Sequence, residues 1–110
     1  MASVFTRKLS RNGGTALTAV GGYSVGAGNT AVVLGLSITN VLGTNITVDA
    51  TLNDGVNDYY LVKGAPINAG ATLVIVGGDQ KLALIVGDSV KVASNAAASI
   101  DTVMSILENS

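Results

Sequence analysis

Four short apolar runs between Asp58 and Val92 constrain the fold of this chain more than any other feature. The stretch reads DYYLVKGAPINAGATLVIVGGDQKLALIVGDSVKV, and Gly, Pro, Asn and Asp between the runs supply the backbone angles that turns require. Short apolar runs bounded by such turn residues are typical of β-strands. A chain of 110 residues has room for one core and no second domain. The sequence therefore predicts a single all-β domain.

Two further strands are predicted upstream. The segment Thr30–Asn40 has the clearest alternation in the chain, and after a turn at residues 41–45 a second alternating segment follows. The residues predicted to face the core are Val32, Leu34, Leu36, Ile38, Ile46, Val48, Ala50 and Leu52, whereas Thr47, Asp49 and Thr51 are predicted to face outward. Thr72–Val76 is apolar at nearly every position, which is typical of a strand covered on both faces or meeting another subunit.

The C-terminal segment, residues 99–107, fits two secondary structures. Ile100, Val103, Met104 and Leu107 have helical spacing, but the segment is short for a helix and rich in β-branched residues. We favour a strand. The full set of about seven to nine short strands then predicts a two-layer antiparallel β-sandwich, immunoglobulin-like or jelly-roll-like, with the sheet order left open.

The N-terminal residues 1–14 are predicted to form an extended arm preceding a sandwich of residues 15–110. Three of the six basic residues, Arg7, Lys8 and Arg11, lie in this arm. The arm is expected either to form an edge strand or to lie on a neighbouring subunit. Nucleic acid is not the expected partner, because no aromatic residues are interleaved with these charges and the net charge is −1.

The residues that carry most enzyme chemistry are missing. The chain has no His, Cys or Trp, and its aspartates lie mainly at or near turns, so we predict no enzyme activity, no cofactor and no metal. The oxygen-rich turn Asn53–Asp58 lacks a calcium-loop pattern and fits an ordinary hairpin turn. No signal-peptide core or membrane-length apolar run is present, and we expect a soluble protein without a membrane partner.

Surface composition points instead to contact with other proteins. Only 12% of the residues are charged, against about 25% in an average soluble domain. Tyr59 and Tyr60 are predicted to point to opposite faces of one strand, one packed inside and the other available for surface contact.

The chain resembles a group of small virion structural proteins of tailed bacteriophages, including cyanobacterial phages. The resemblance lies in the strand YYLVK, a Pro-containing turn, an apolar strand, GGDQKL, GDSVKV and a terminal segment ending in Leu-Glu, led by VFTRKLSRNGG. These motifs cover most of the chain, but they are structural motifs of turn glycines and strand alternation.

The resemblance implies a capsid decoration (cement) protein that binds the major capsid protein and other virion proteins, and that is assembled into the virion in the host cytoplasm. It implies a homo-oligomer, a trimer above all, with Phe5, Arg7, Lys8 and Arg11 of the arm contacting the shell. The alternative is a tail, neck or fibre module that contacts virion proteins or host glycan through the loops Gly21–Asn29 and Asn53–Asp58. An internal scaffold or a head–tail connector also stays open.

Overall fold

A computed structural model describes residues 3–77 and 80–110. Gly78 and Asp79 of the predicted turn Gly77–Gln80 lie outside the described residues. The first two residues of the predicted arm also lie outside them. The described chain forms nine strands and one short 3₁₀ helix, Val20–Gly22. The strands are β1 (Ser3–Gly13), β2 (Thr18–Ala19), β3 (Thr30–Asn40), β4 (Ile46–Asn53), β5 (Asp58–Ile67), β6 (Thr72–Val76), β7 (Leu82–Leu84), β8 (Ser89–Ser94) and β9 (Ile100–Asn109).

The strands form two antiparallel sheets packed together. Sheet A has the order β1-β9-β3-β6, and β7 pairs with the first half of β3 on the same edge as β6. Sheet B has the order β2-β8-β4-β5. The prediction of an all-β, two-layer antiparallel sandwich is confirmed. Because β1 contacts the 3₁₀ helix and β8 while β5 contacts β6, these two edge strands lie on opposite lateral sides of the sandwich.

The hydrophobic core lies between the two sheets. Its largest fully buried side chains come from the central strands of both layers, and burial of each contributes roughly 1.5–3 kcal/mol. They include Leu36, Ile38, Val48, Val90, Ile100, Met104 and Ile106.

The C-terminal segment is a strand, as favoured from the sequence. β9 is not at an edge: it pairs with β1 on one side and β3 on the other. Met104 is fully buried, whereas its sequence neighbour Val103 is 46% exposed on the opposite face. In a helix, Val103 and Met104 would have lain on the same face, so this alternation is incompatible with a helix. Pairing on both edges satisfies the main-chain hydrogen bonds of the segment, whereas a helix this short is only marginally stable.

The predicted core face of β3 is wrong in its first half. Ala31 and Val33 are buried there, while Val32 and Leu34 are only partly buried. The pairing of β3 with β9 shifts register between Val33 and Gly35, so a β-bulge at Leu34 changes which alternate residues face inward. Beyond the bulge, Leu36 and Ile38 face the core as predicted.

The predictions for β4 and β5 also need correction. Thr51 is fully buried although it lies opposite Lys91 and Tyr60 on the outer side, and its hydroxyl donates to Asp58 Oδ1 at 3.0 Å. Tyr59 and Tyr60 are 54% and 49% exposed, so neither packs inside. A register irregularity between β4 and β5 interrupts the alternation of buried and exposed side chains near Tyr60. Among the residues that the structure describes, no strand pairs with the other edge of β5.

β6 is not covered on both faces within this chain. Val74 is 64% exposed, and only Val76 is fully buried on this strand. The second predicted environment, contact with another subunit, therefore stays a prediction. No helix among the described residues has the length and apolar character that a membrane crossing requires.

Candidate interaction surface

The predicted N-terminal arm forms edge strand β1 over its described residues. Its pairing with β9 is regular from Ser3 opposite Asn109 to Ser10 opposite Thr102, and then a bulge leads to Gly13 opposite Ile100. Asn12 has a positive φ of 55° in this bulge, a conformation that Asn tolerates better than most residues. A Cβ at Gly13 would lie 2.8 Å from Ile100 Cγ1, so glycine is needed where the strand turns into the sandwich.

None of the side chains on β1 is buried. Phe5 is 75% exposed, Leu9 is 50% exposed and Val4 is 55% exposed. The other lateral edge of β1 pairs with no strand in the described parts of the chain. A Cβ at Gly21 would lie 3.2 Å from Leu9 N, so the 3₁₀ helix lies against this edge near Leu9 and the open part of the edge is Ser3–Arg7. An open edge exposes main-chain donors and acceptors together with apolar side chains, a combination that favours association with another chain.

The four arm residues predicted to contact a partner do not share one face. Phe5 and Arg7 lie opposite Leu107 and Ser105 on the solvent-facing side of sheet A. Arg11 joins them there, since it lines a shallow depression with Leu9, Asp101 and Val103.

Lys8 points the other way. Its Nζ lies 4.9 Å from the centroid of the Tyr23 ring, a cation–π contact. The structure therefore brings Phe5, Arg7 and Arg11 together and places Lys8 in a packing contact beside the 3₁₀ helix.

The solvent-facing side of sheet A, called the outer face below, is largely uncharged. One row crosses four neighbouring strands from Leu9 through Val103 and Ser37 to Val74. A second row contains Phe5, Leu107 and Val32. The charged side chains on the outer face of strands β1, β9, β3 and β6 are Arg7, Arg11 and Asp101, all on β1 or its neighbour. The rest of the face is apolar or carries small hydroxyls.

Tyr23, which packs beside Lys8 on the side of β1 opposite the outer face, is a residue that the sequence analysis missed. Its hydroxyl donates to Glu108 Oε2 at 2.6 Å, and its ring packs on the core as well as under Lys8. Burial, followed by the hydrogen bond and the charge of Glu108, raises the pKa of Tyr23 well above its usual range. In the sequence, the single aromatic residue within the glycine-rich run GGYSVGAGN is the signal that could have predicted an anchored loop.

Tyr59 and Tyr60 lie on β5, on the other lateral side from β1. Lys63 Nζ lies 5.0 Å from the centroid of the Tyr60 ring, and the Tyr59 hydroxyl donates to Asp54 Oδ2 at 3.3 Å. The structure thus separates the two predicted contact groups, the arm and the tyrosine pair.

Both loops of the alternative binding hypothesis lie at one end of the sandwich. Val25 N donates to Asp88 O at 3.0 Å, and Gly87 N donates back to Val25 O at 2.9 Å. Gly55 of the β4–β5 turn lies close to Gly87. The exposed apolar residues of this end are Val56, at 84% exposure, with Ile85 and Val86.

The carboxylates of the β4–β5 turn serve its geometry. Asp54 Oδ1 accepts from Asn57 N at 2.7 Å and from Val56 N at 2.9 Å, and these bonds lower the Asp54 pKa. Hydrogen bonds from Asn53 and Thr51 lower the pKa of Asp58. Across residues 3–77 and 80–110, no three acidic, His or Cys side chains group as metal ligands would.

Comparison of the chain with protein-family models, with curated proteins and with solved structures found no match.

Proposed function

We propose that this chain is a virion structural protein of a tailed bacteriophage, a decoration (cement) protein that binds the major capsid protein and stabilises the head. The observation that carries the proposal is strand β1, whose exposed outer face leaves Phe5, Arg7 and Leu9 open to a partner and whose edge is unpaired from Ser3 to Arg7 in the described chain. The sequence resemblance supplies the identity of that partner.

The uncharged outer face supports a role in assembly. A decoration protein acts by burying surface against the shell and against its own copies, and removal of apolar area from water stabilises such contacts. In this proposal β1 contacts the capsid protein, and the outer face around Val74 and Val103 contacts neighbouring copies. Trimers are the favoured assembly, because closed rings fit the symmetry axes of a shell.

A map of the intact virion at side-chain resolution tests this proposal. We expect density for this chain as oligomers at the local symmetry axes of the shell, with β1 lying on capsid protein. Reconstitution with a chain lacking residues 1–11 should leave the shell sites largely empty. Full occupancy by the truncated chain, or density at the tail or collar alone, would contradict the proposal.

The alternative function is a tail, neck or fibre module that binds virion proteins or host glycan. The observation that favours it is the meeting of two loops at one end of the sandwich, with Val56, Ile85 and Val86 exposed. Sugar sites usually present a flat aromatic platform, whereas Tyr59, beside the β4–β5 turn, has its hydroxyl engaged by Asp54. Saturable binding of host envelope polysaccharide by the wild type, lost in Val56→Asp, would support the alternative.

A further inference from the structure

Strand β1 lies in a site that the rest of the sandwich provides, called the β1 site below. The site consists of the edge of β9, which pairs with β1 from Ser3 to Ser10, and of the turn around the 3₁₀ helix. Gly21 N donates to Ser10 Oγ at 2.8 Å, and Lys8 Nζ lies over the Tyr23 ring. Main-chain pairing, a hydroxyl acceptor and a cation–π contact together make the β1 site selective for the sequence of β1.

The attachment of β1 to this site consists of pairing and not of burial. None of its side chains is buried, and one connection, residues 14–17, joins it to the other strands. Segments with few buried apolar contacts open at a low free energy while the remainder of a protein stays folded. Opening of β1 therefore leaves the sandwich intact and exposes the edge of β9, which then favours pairing with another strand.

The chain between β1 and the sandwich has a hinge at two residues. The pairing with β9 shifts after Ser10, and Arg11 and Asn12 are not paired in register with β9. Asn12 has a φ of 55°, a conformation that Asn tolerates better than most residues but that is less favourable than extended backbone. The main chain is fixed again at Gly13, whose oxygen accepts from Ser99 N at 2.8 Å. A short hinge under strain favours exchange of the adjacent element between copies of a protein.

We infer that β1 is exchanged between copies of this chain, so that the β1 of one copy occupies the β1 site of a neighbouring copy. The site identifies its occupant, because it holds this same sequence within one chain, in the closed form, along the whole of Ser3–Ser10. Closed and exchanged forms make the same contacts in the site, so these contacts favour neither form. Relief of the strain at Asn12 and contacts between the outer faces of two copies favour exchange, whereas the entropy of separate chains opposes it.

This exchange goes beyond the proposed function and does not depend on it. It requires no capsid protein, and exchange repeated from copy to copy around a symmetry axis forms a closed ring. Phe5 and Arg7 lie on the outer face in both forms, because the register with β9 determines their direction. The exchanged strand thus links two copies and leaves its outer side chains exposed.

Two single-cysteine chains test the exchange, because the natural chain has no cysteine. One chain carries Ser3→Cys and the other carries Asn109→Cys, at residues that are opposite each other and in side-chain contact. The two chains are unfolded in urea, refolded as a mixture and mildly oxidised. In the closed form the two thiols lie in separate molecules, whereas in the exchanged form they lie side by side. We expect a disulfide-linked heterodimer on non-reducing denaturing electrophoresis, in excess of the homodimers that each chain forms alone.

A second matched mixture and a mismatched mixture control this result. Arg7→Cys in one chain and Ser105→Cys in the other repeat the test at another paired position. Ser3→Cys mixed with Ser105→Cys is the mismatched control, since these residues are not opposite each other in the register. Circular dichroism checks that each chain is folded. Absence of excess heterodimer from both matched mixtures, or equal amounts from matched and mismatched mixtures, would overturn the inference.

Substitutions at the hinge, made in both chains of a matched mixture, test its contribution. Asn12→Gly removes the strain of the closed form and should lower the amount of heterodimer. Asn12→Val introduces a β-branched residue that disfavours a positive φ, so it should raise the amount of heterodimer. Asn57→Gly, at an exposed asparagine of the β4–β5 turn, is the control and should leave the amount unchanged. Equal amounts from Asn12→Gly and Asn12→Val would overturn the contribution of hinge strain.

Discussion

Thr51 and Thr102 are both buried threonines, but only one of the two hydroxyls has a hydrogen-bond partner. Thr51 Oγ1 donates to Asp58 Oδ1, whereas Thr102 Oγ1 has no partner among the described residues. Thr102→Val keeps the shape and removes an unsatisfied polar atom, so it should raise the free energy of unfolding by roughly 0.5–1 kcal/mol.

Thr51→Val is the matched control. It should lower the free energy of unfolding by roughly 1–2 kcal/mol, because it removes a hydrogen bond to a carboxylate. Urea unfolding at neutral pH measures both variants. Destabilisation by Thr102→Val comparable to that by Thr51→Val would mean that both hydroxyls are paired.

Asp54 makes the stability of the β4–β5 turn depend on pH. Hydrogen bonds from Asn57 N and Val56 N lower its pKa, so the folded chain favours the carboxylate more than the unfolded chain does. The contribution is therefore present above the unfolded pKa, near 3.8, and is lost as pH falls through the lower folded pKa. Asp54→Asn keeps an acceptor oxygen and removes the charge.

Wild type should consequently be more stable than Asp54→Asn at neutral pH, and the difference should shrink as pH falls below about 4. Urea unfolding of both proteins at a series of pH values measures this difference. A difference independent of pH would show that the charge of Asp54 does not contribute.

At the scale of the element, strand β1 is separable from the core. It buries no side chain, and its attachment consists mainly of pairing with β9. Removal of residues 1–11 should therefore leave a cooperatively folding sandwich with a free energy of unfolding lowered by roughly 1–3 kcal/mol, the net of lost hydrogen bonds and released chain entropy.

Met104→Ala provides the comparison for that truncation. Met104 is fully buried on β9, and its loss should cost roughly 2–5 kcal/mol, as much as or more than the whole of β1. Circular dichroism and urea titration of the two variants test this order. An unfolded truncated chain beside a folded Met104→Ala would show that β1 is part of the core structure.

For the whole molecule, the low charge of the outer face predicts self-association. We expect a trimer at micromolar concentration by native mass spectrometry and sedimentation. Val74→Lys with Val103→Lys should give monomers, because a buried unpaired charge is costly in an interface. The control Val56→Lys adds charge at an exposed valine at the sandwich end, away from the outer face, and should remain trimeric. A monomeric wild type at about 100 μM would contradict this prediction.

Much of the architecture was readable from local sequence. Alternating β-branched and apolar residues predict strands because side chains alternate across a sheet, and Gly, Asn and Asp mark the turns because they tolerate the required angles. This reasoning identified Thr30–Asn40, the C-terminal strand and the two-layer class. It also selected Phe5, Arg7 and Arg11, which share the outer face.

Only the tertiary structure decided which residues meet. The bulge at Leu34 reversed the core face of half of β3, and pairing in sheet B left both Tyr59 and Tyr60 exposed. Asn40, at the end of β3, is fully buried because its side chain bonds the main chain at Leu42, Thr44 and Ile67. Sequence periodicity fixes the local conformation of each strand, whereas register and bulges depend on hydrogen bonds to strands distant along the chain, which no local pattern specifies.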